Sequence, residues 1–253
     1  LVVLVGLCIS TNLPARLAIV PNLIGPENLH AGVALNSLVS NAGRFLGPAL
    51  GGFLIYYGDV SLAFGVCAVF FGIPALTLME NAAVACCEHF TSVFPRNRYP
   101  ACLVLAGKGN NGGDGLAIAR LLLERGYAVR VLLLARPGDL GPEARANYDR
   151  LLEAGAAPGL VSSAAVLKKA LEACEAGETF LVDAVFGTGL DKPVRAGLFA
   201  EAFKAVNQSP MPVAAVDIPS GLGENFPPDV GVHVRARITA ALHALKWTHL
   251  NPD

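Results

Sequence analysis

From residue 75 onward the chain alternates short apolar runs with amphipathic stretches. Ala75–Phe94 carries apolar residues at helical spacing, with Met79, Ala83, Cys86 and Phe90 along one stripe, and Pro95–Pro100 breaks it. Ala101-Cys102-Leu103-Val104-Leu105 is the kind of run that a buried parallel strand uses, and Leu116–Glu124 returns to helical spacing with good helix formers. The alternation continues. Strands are predicted over Ala128–Leu134, weakly over Gly159–Val161, then over Thr179–Val182, Pro212–Val216 and within Arg235–Leu242. Helices are predicted between them over Glu143–Ala154, Ala164–Cys174 and Leu198–Val206. Strands alternating with helices predict an α/β fold, a three-layer, doubly wound, mostly parallel sheet. In such sheets ligands bind outside the carboxyl ends of the strands.

The first seventy residues follow another pattern. Their only charges are Arg16, Glu27, Arg44 and Asp59, and lysine is absent before Lys108. Leu1–Ile9 is apolar but too short to span a bilayer, whereas Val39–Tyr57 is nearly long enough, with Arg44 interrupting it. Gly47-Pro48-Ala49-Leu50-Gly51-Gly52 supplies small residues that let membrane helices pack closely. Residues 1–71 are therefore expected to form an all-α, apolar, membrane-type fragment, and residues 72–253 a separate domain. No Pro/Ser-rich spacer or charge run divides the two.

Composition narrows the function. Hydrophobic residues make up 53% and charged residues 15%, with a formal net charge of -1 and no basic run, so nucleic acid is not an expected partner. The six cysteines, Cys8, Cys67, Cys86, Cys87, Cys102 and Cys174, include no C-x-x-C pair and read as reduced thiols in a cytoplasmic setting. His233, His243 and His249 have no ligand partners that would make a zinc site.

The chemistry concentrates at Gly107-Lys108-Gly109-Asn110-Asn111-Gly112-Gly113-Asp114-Gly115. Placed between a strand and a helix, a glycine-rich turn presents backbone N–H groups to an anion. No Gly-Lys-Ser/Thr follows, which excludes a P-loop, and no acidic residue ends the second strand where a ribose partner belongs. Two asparagines and an aspartate so close together exceed what a turn requires. Asp183 and Asp217 also stand at or just past strand ends. Hard oxygens at Asn111, Asp183 and Ser220 favour alkali, calcium or magnesium ions.

Together these motifs carry a resemblance. Gly107–Gly115 resembles the signature loop of NAD(P)H-hydrate epimerases, the YjeF N-terminal-type domain. Leu78-Met79-Glu80-Asn81-Ala82, Val182-Asp183-Ala184-Val185-Phe186-Gly187-Thr188-Gly189-Leu190 and Val216-Asp217-Ile218-Pro219-Ser220-Gly221-Leu222 resemble its other motifs in family order. The resemblance implies a Rossmann-like domain that epimerises the R and S forms of NAD(P)HX, hydrated NADH or NADPH. It implies a potassium ion on Asn111, Asp183 and Ser220. The substrate falls on Asn110, Asn111, Gly112, Gly113, Asp114, Gly187, Thr188, Gly189, Leu190, Asp191, Lys192, Pro193 and Asp217. Epimerisation needs a proton donor or acceptor beside a planar carbon, for which Asp183 is the first candidate and Asp114 the second. If Asp183 ligates potassium, it serves mainly as an electrostatic organiser. Gly187-Thr188-Gly189 reads as a second phosphate-facing turn, and Glu80 as a support near the site.

Where the family has a Gly-Pro pair after its Gly-Thr-Gly-Leu loop, this chain has Arg195-Ala196-Gly197-Leu198. The chain is expected to stop short of the family's closing strand and helix, a loss comparable to a domain's whole stability. Ala34-Leu35-Asn36-Ser37 and Asn41-x-x-Arg44-Phe45-x-Gly47-Pro48-Ala49-Leu50 resemble one stretch of efflux transporters of the major facilitator superfamily. On that resemblance the chain is expected to be a junction of two unrelated coding segments, by gene fusion, rearrangement or assembly error. A membrane contact through residues 1–71 and a homodimer are left open. The rival readings are a nucleotide-binding module without turnover and a transporter fragment without activity of its own.

Overall fold

The computed structural model describes residues 48–223, 227 and 230–242, except the side chains of residues 63–65 and 67–76. The chain divides into two units, Leu1–Phe71 and Gly72–Asp253. In the first, residues 48–57 are helical, and Asp59 caps the following helix by accepting a 2.8 Å bond from the Leu62 N–H. The rest of the predicted apolar fragment lies outside the described residues. Among the described residues no helix is long and apolar enough to cross a membrane, so the membrane-type reading of this segment finds no support there.

The second unit contains a six-stranded sheet: β1 (Ala101–Ala106), β2 (Ala128–Leu133), β3 (Gly159–Leu160), β4 (Thr179–Ala184), β5 (Val213–Val216) and β6 (Ile238–Ala240). Its strands run in the order β3-β2-β1-β4-β5-β6, and every pairing is parallel. That is the order of a dinucleotide-type doubly wound sheet, with its switch point between β1 and β4. The helices are α1 (Val60–Val93), α2 (Asn110–Glu124), α3 (Pro142–Glu153), α4 (Ala164–Glu172) and α5 (Leu198–Gln208).

Side chains of a strand alternate between faces, and here the alternation fills two cores. Cys102, Val104 and Ala106 join Phe180, Val182 and Ala184 against Phe90 and Phe94 of the α1 side and Leu116, Ile118 and Leu122 of α2. Leu103, Leu105 and Leu181 point the other way, onto Leu167 and Leu171 of α4 and Phe203 and Val206 of α5. Phe94 stacks on Phe180 with ring centroids 4.9 Å apart. Both faces of β4 are covered and all six of its residues are buried, which is why it reads as an unbroken apolar run up to Asp183.

Candidate functional site

The signature segment is more helical than its glycines suggest. α2 begins at Asn110, with Gly109 as its N-cap, so the turn is only Gly107–Gly109 and not the whole stretch to Gly115. None of Gly107, Gly109, Gly112, Gly113 and Gly115 has positive φ. Gly107, Gly112 and Gly115 are needed for close approach instead. A Cβ on Gly112 would lie 2.0 Å from the Gly107 carbonyl oxygen, one on Gly107 2.1 Å from the Val185 oxygen, and one on Gly115 2.4 Å from Ala184 Cβ. The missing side chains bring the start of α2 down onto the end of β4.

That end carries Asp183, which has no exposure. Its Oδ2 accepts a 2.7 Å bond from the Ser220 N–H and its Oδ1 a 2.6 Å bond from the Ser220 hydroxyl. Ser220 Oγ in turn accepts from the Phe186 N–H at 2.8 Å. Gly187 continues that loop. A Cβ there would lie 2.9 Å from Asp217 Oδ2 and 3.4 Å from Asn111 Cγ. Asn111, Asp183, Asp217 and Ser220 thus gather around Phe186–Gly187. Asp217, directly after β5, holds a left-handed backbone at φ 69°, uncommon for a residue with a side chain.

Above this cluster opens a cleft of about 730 Å³, the size of a pocket for a nucleotide-like small molecule. It is lined by Lys108, Gly109, Asn110, Asn111 and Asp114, by Val185–Gly189, and by Asp217 and Leu242. Of the sequence-derived site residues, Gly112 and Gly113 are packed into α2, and Asp183 and Ser220 lie beneath the cleft. Leu190, Asp191, Lys192 and Pro193 do not line it. Pro193 instead packs by Gly231, and the Val232 N–H bonds the Val194 carbonyl at 2.7 Å. The Thr188 N–H of the expected phosphate-facing turn is engaged by Asp217 Oδ2 at 3.3 Å. Glu80 sits off the cleft, ion-paired with Arg120 of α2 and 3.7 Å from Arg150 of α3, so it ties helices together rather than supporting the site directly. Sequence reading passed over Lys108, Phe186 and Leu242. For Lys108 the signal was present, since it stands between two glycines just after β1.

Two carboxyl groups are unusual acids. Burial, and then the negative charge of Asp217, push Asp114 up to about 7. Burial pushes Asp183 to about 6, although the hydrogen bonds from Ser220 and Val185 pull the other way.

The donor set suits a hard cation. Asp183 is a buried carboxylate with no Lys or Arg ion-paired to it among the described residues. Asn111 Oδ1 and Nδ2 are buried without a partner. Asn111, Asp183 and Ser220 supply only amide, carboxylate and hydroxyl oxygens, which favours alkali or alkaline-earth ions over zinc. Among the described residues no group of three or more His, Cys, Asp and Glu assembles a metal site.

This unit corresponds to a known sequence family: the profile described as YjeF-related protein N-terminus matches residues 75–248. The chain belongs to that family. Its YjeF-type domain is 39% identical over 173 residues to the NAD(P)H-hydrate epimerase of Limosilactobacillus reuteri, covering 66% of this chain and 74% of that protein. The figure is 38% over 172 residues for the enzyme of that name from Limosilactobacillus fermentum, with the same coverages of 66% and 74%. For the bifunctional NAD(P)H-hydrate repair enzyme Nnr of Moorella thermoacetica it is 41% over 154 residues, 59% of this chain and 28% of that protein. The crystal structure of yeast ynu0 shares the fold of the YjeF-type domain at TM-score 0.58 and 24% identity, over 68% of this chain and 72% of that one. A second profile, described as transmembrane secretion effector, matches residues 1–94.

Proposed function

We propose that this chain is an isomerase of nicotinamide-nucleotide repair that interconverts the R and S forms of NAD(P)HX. Family membership and the relatives' names supply the substrate class. The observation that carries the chemistry is the pairing of Asp114 and Asp217 across one cleft, with the Asp114 carboxyl held near 7 by burial and by its neighbour's charge. An acid still protonated near neutral pH and a second carboxyl group beside it can divide acid and base roles.

Epimerisation breaks the bond from C6 of the reduced ring to its hydroxyl. The ring-nitrogen lone pair forms the C6=N bond, and Asp114 gives its proton to the departing oxygen, which leaves as water. Water then adds to the opposite face and gives a proton to the Asp217 carboxylate, and exchange with solvent resets the pair. Each proton moved by a positioned carboxyl group contributes about 10²–10⁴-fold. Asp183 is enclosed and bonded to Ser220, so the proton-transfer role passes to Asp114. Asn111, Asp183 and Ser220 would hold the potassium ion, which when bound supplies a fixed positive charge against the buried carboxylate. Buried, free thiols at Cys86, Cys87 and Cys102 support a reducing compartment.

The test follows R-NADHX on the full chain by chiral separation, in potassium and in choline chloride. Conversion to the S form, faster in potassium, is expected. Nucleotide binding without conversion would replace this reading with a non-catalytic binding module.

A further inference from the structure

Charge is unevenly distributed along the cleft. Among the described residues Lys108 is the only basic one lining it, against Asp114 and Asp217. The lysine side chain is exposed and makes no ion pair among the described residues. Its backbone is fixed, because its carbonyl accepts a 3.0 Å bond from the Gly141 N–H. It stands two residues before α2, whereas Asp114 lies a helical turn inside, roughly 6 Å further along the axis.

The start of α2 presents N–H groups that no side chain caps. The helix has 15 residues, and its N-cap, Gly109, offers no side-chain oxygen to its first N–H groups. The N–H groups of Asn110 and Asn111 have no carbonyl within the helix to bond. Independently of the helix, Asn111 is 9% exposed, lines the cleft and has an unpartnered Nδ2 as well as an unpartnered Oδ1. The Oδ1 suits a cation, but the NH₂ donates and needs an acceptor. The several oxygens of a phosphate-type anion over the start of α2 would serve it, the two N–H groups and Lys108 together.

We infer that Lys108 is the phosphate-contacting residue of this cleft, and that it takes the pyrophosphate of the dinucleotide together with the first N–H groups of α2 and the Asn111 amide. This rests on the substrate class proposed above. The assignment orients the ligand: with the pyrophosphate at Lys108, the hydroxylated ring lies toward Asp114 and Asp217, a turn deeper. It also gives Lys108 a role in affinity rather than in proton transfer.

Titration calorimetry of the full chain with ADP-ribose, with its 2′-phosphorylated form and with nicotinamide riboside tests this. Lys108→Ala weakens both pyrophosphate ligands about ten-fold, as for the loss of one charge-assisted contact, Lys108→Arg retains most of the binding, and Lys108→Glu is worse than Lys108→Ala. Nicotinamide riboside, which lacks the pyrophosphate, binds all four proteins alike. In turnover of NADHX, KM rises while kcat stays within about two-fold. A Lys108→Ala change in ADP-ribose affinity below about two-fold overturns the assignment. So does a loss confined to the 2′-phosphorylated ligand, which would move the lysine to that phosphate. An exposed lysine leaves the fold intact, which matching melting curves verify. Lysine-dependent ADP-ribose binding with no R-to-S conversion sinks the proposed function and leaves this inference standing. Conversion with an unchanged KM in Lys108→Ala does the reverse.

Discussion

Ser220 gives both its backbone N–H and its hydroxyl to the carboxylate of Asp183, at 2.7 and 2.6 Å, across 37 residues of sequence. The pair joins the end of β4 to the loop after β5, and through the Phe186 N–H it also fixes the loop that carries Gly187. A buried carboxylate held by hydrogen-bond donors and, among the described residues, by no cationic side chain is half of an ion site.

Removing the hydroxyl tests that. Ser220→Ala leaves Asp183 Oδ1 short of a donor and the Phe186 N–H short of an acceptor, and is expected to cost about 1–3 kcal/mol. Asp183→Asn keeps the shape and removes the charge. Its melting temperature should not respond to exchange of choline for potassium, whereas the parent's should rise. Equal potassium responses in the two proteins would argue against a cation on this carboxylate.

Stability should depend on pH with a definite sign. The folded-state acidities of Asp183, about 6, and Asp114, about 7, both lie above the ordinary aspartate value of 3.8. Below 3.8 both groups are protonated folded or unfolded, and their contribution is fully present. As pH rises from there through 6 and 7, the unfolded state holds fewer protons, and that stability is lost. For Asp183 the loss is about 3 kcal/mol at most. Melting temperature in choline buffer should therefore fall between pH 5 and about 8, and potassium should restore more of it at the upper end. A flat profile would contradict the burial of these two carboxyl groups.

Asp114 as proton donor makes the rate pH-dependent in the same range. Above about 7, kcat/KM should fall about ten-fold per pH unit as the acid form is depleted, and Asp114→Asn should lower the rate by about 10²–10⁴-fold and flatten the profile. Retention of the parental pH profile by Asp114→Asn would remove Asp114 from the chemistry.

The glycines of the signature differ in what they exclude. Gly112→Ala drives a Cβ into the Gly107 carbonyl, whereas a Cβ on Gly109 meets nothing within 4 Å. The first substitution should destabilise the domain by about 1–3 kcal/mol, as overpacking does, and the second by less than about 0.5 kcal/mol. Equal losses in urea denaturation would show that chain freedom, not close packing, selects these glycines.

Much of this was legible in the order of residues. Thr179–Val182 announces a buried strand, which the structure extends to Ala184, and Arg120, Leu121 and Leu122 sit in a plain helical pattern. The motif around Asp114 was legible as a site but not in its geometry. Glycine is read by default as a residue for turns, and only the contacts of Gly107, Gly112 and Gly115 show that these serve packing. Glu80 was drawn toward the site by its motif, while its ion pairs with Arg120 and Arg150 hold helices together.

By itself the sequence determined the element types, their alternation and the parallel, doubly wound class, because hydrophobic periodicity is a local property that each segment carries on its own. It also marked Asn111, Asp183, Asp217 and Ser220 as strand-end polar groups. Only the tertiary structure decided which of them reach the cleft. β1, β4 and β5 lie side by side in the sheet, so their ends meet, and the depth of each side chain follows from that packing. Asp183 goes under the floor with Ser220 while Asp114 and Asp217 face the opening, a difference of depth that no stretch of neighbouring residues encodes.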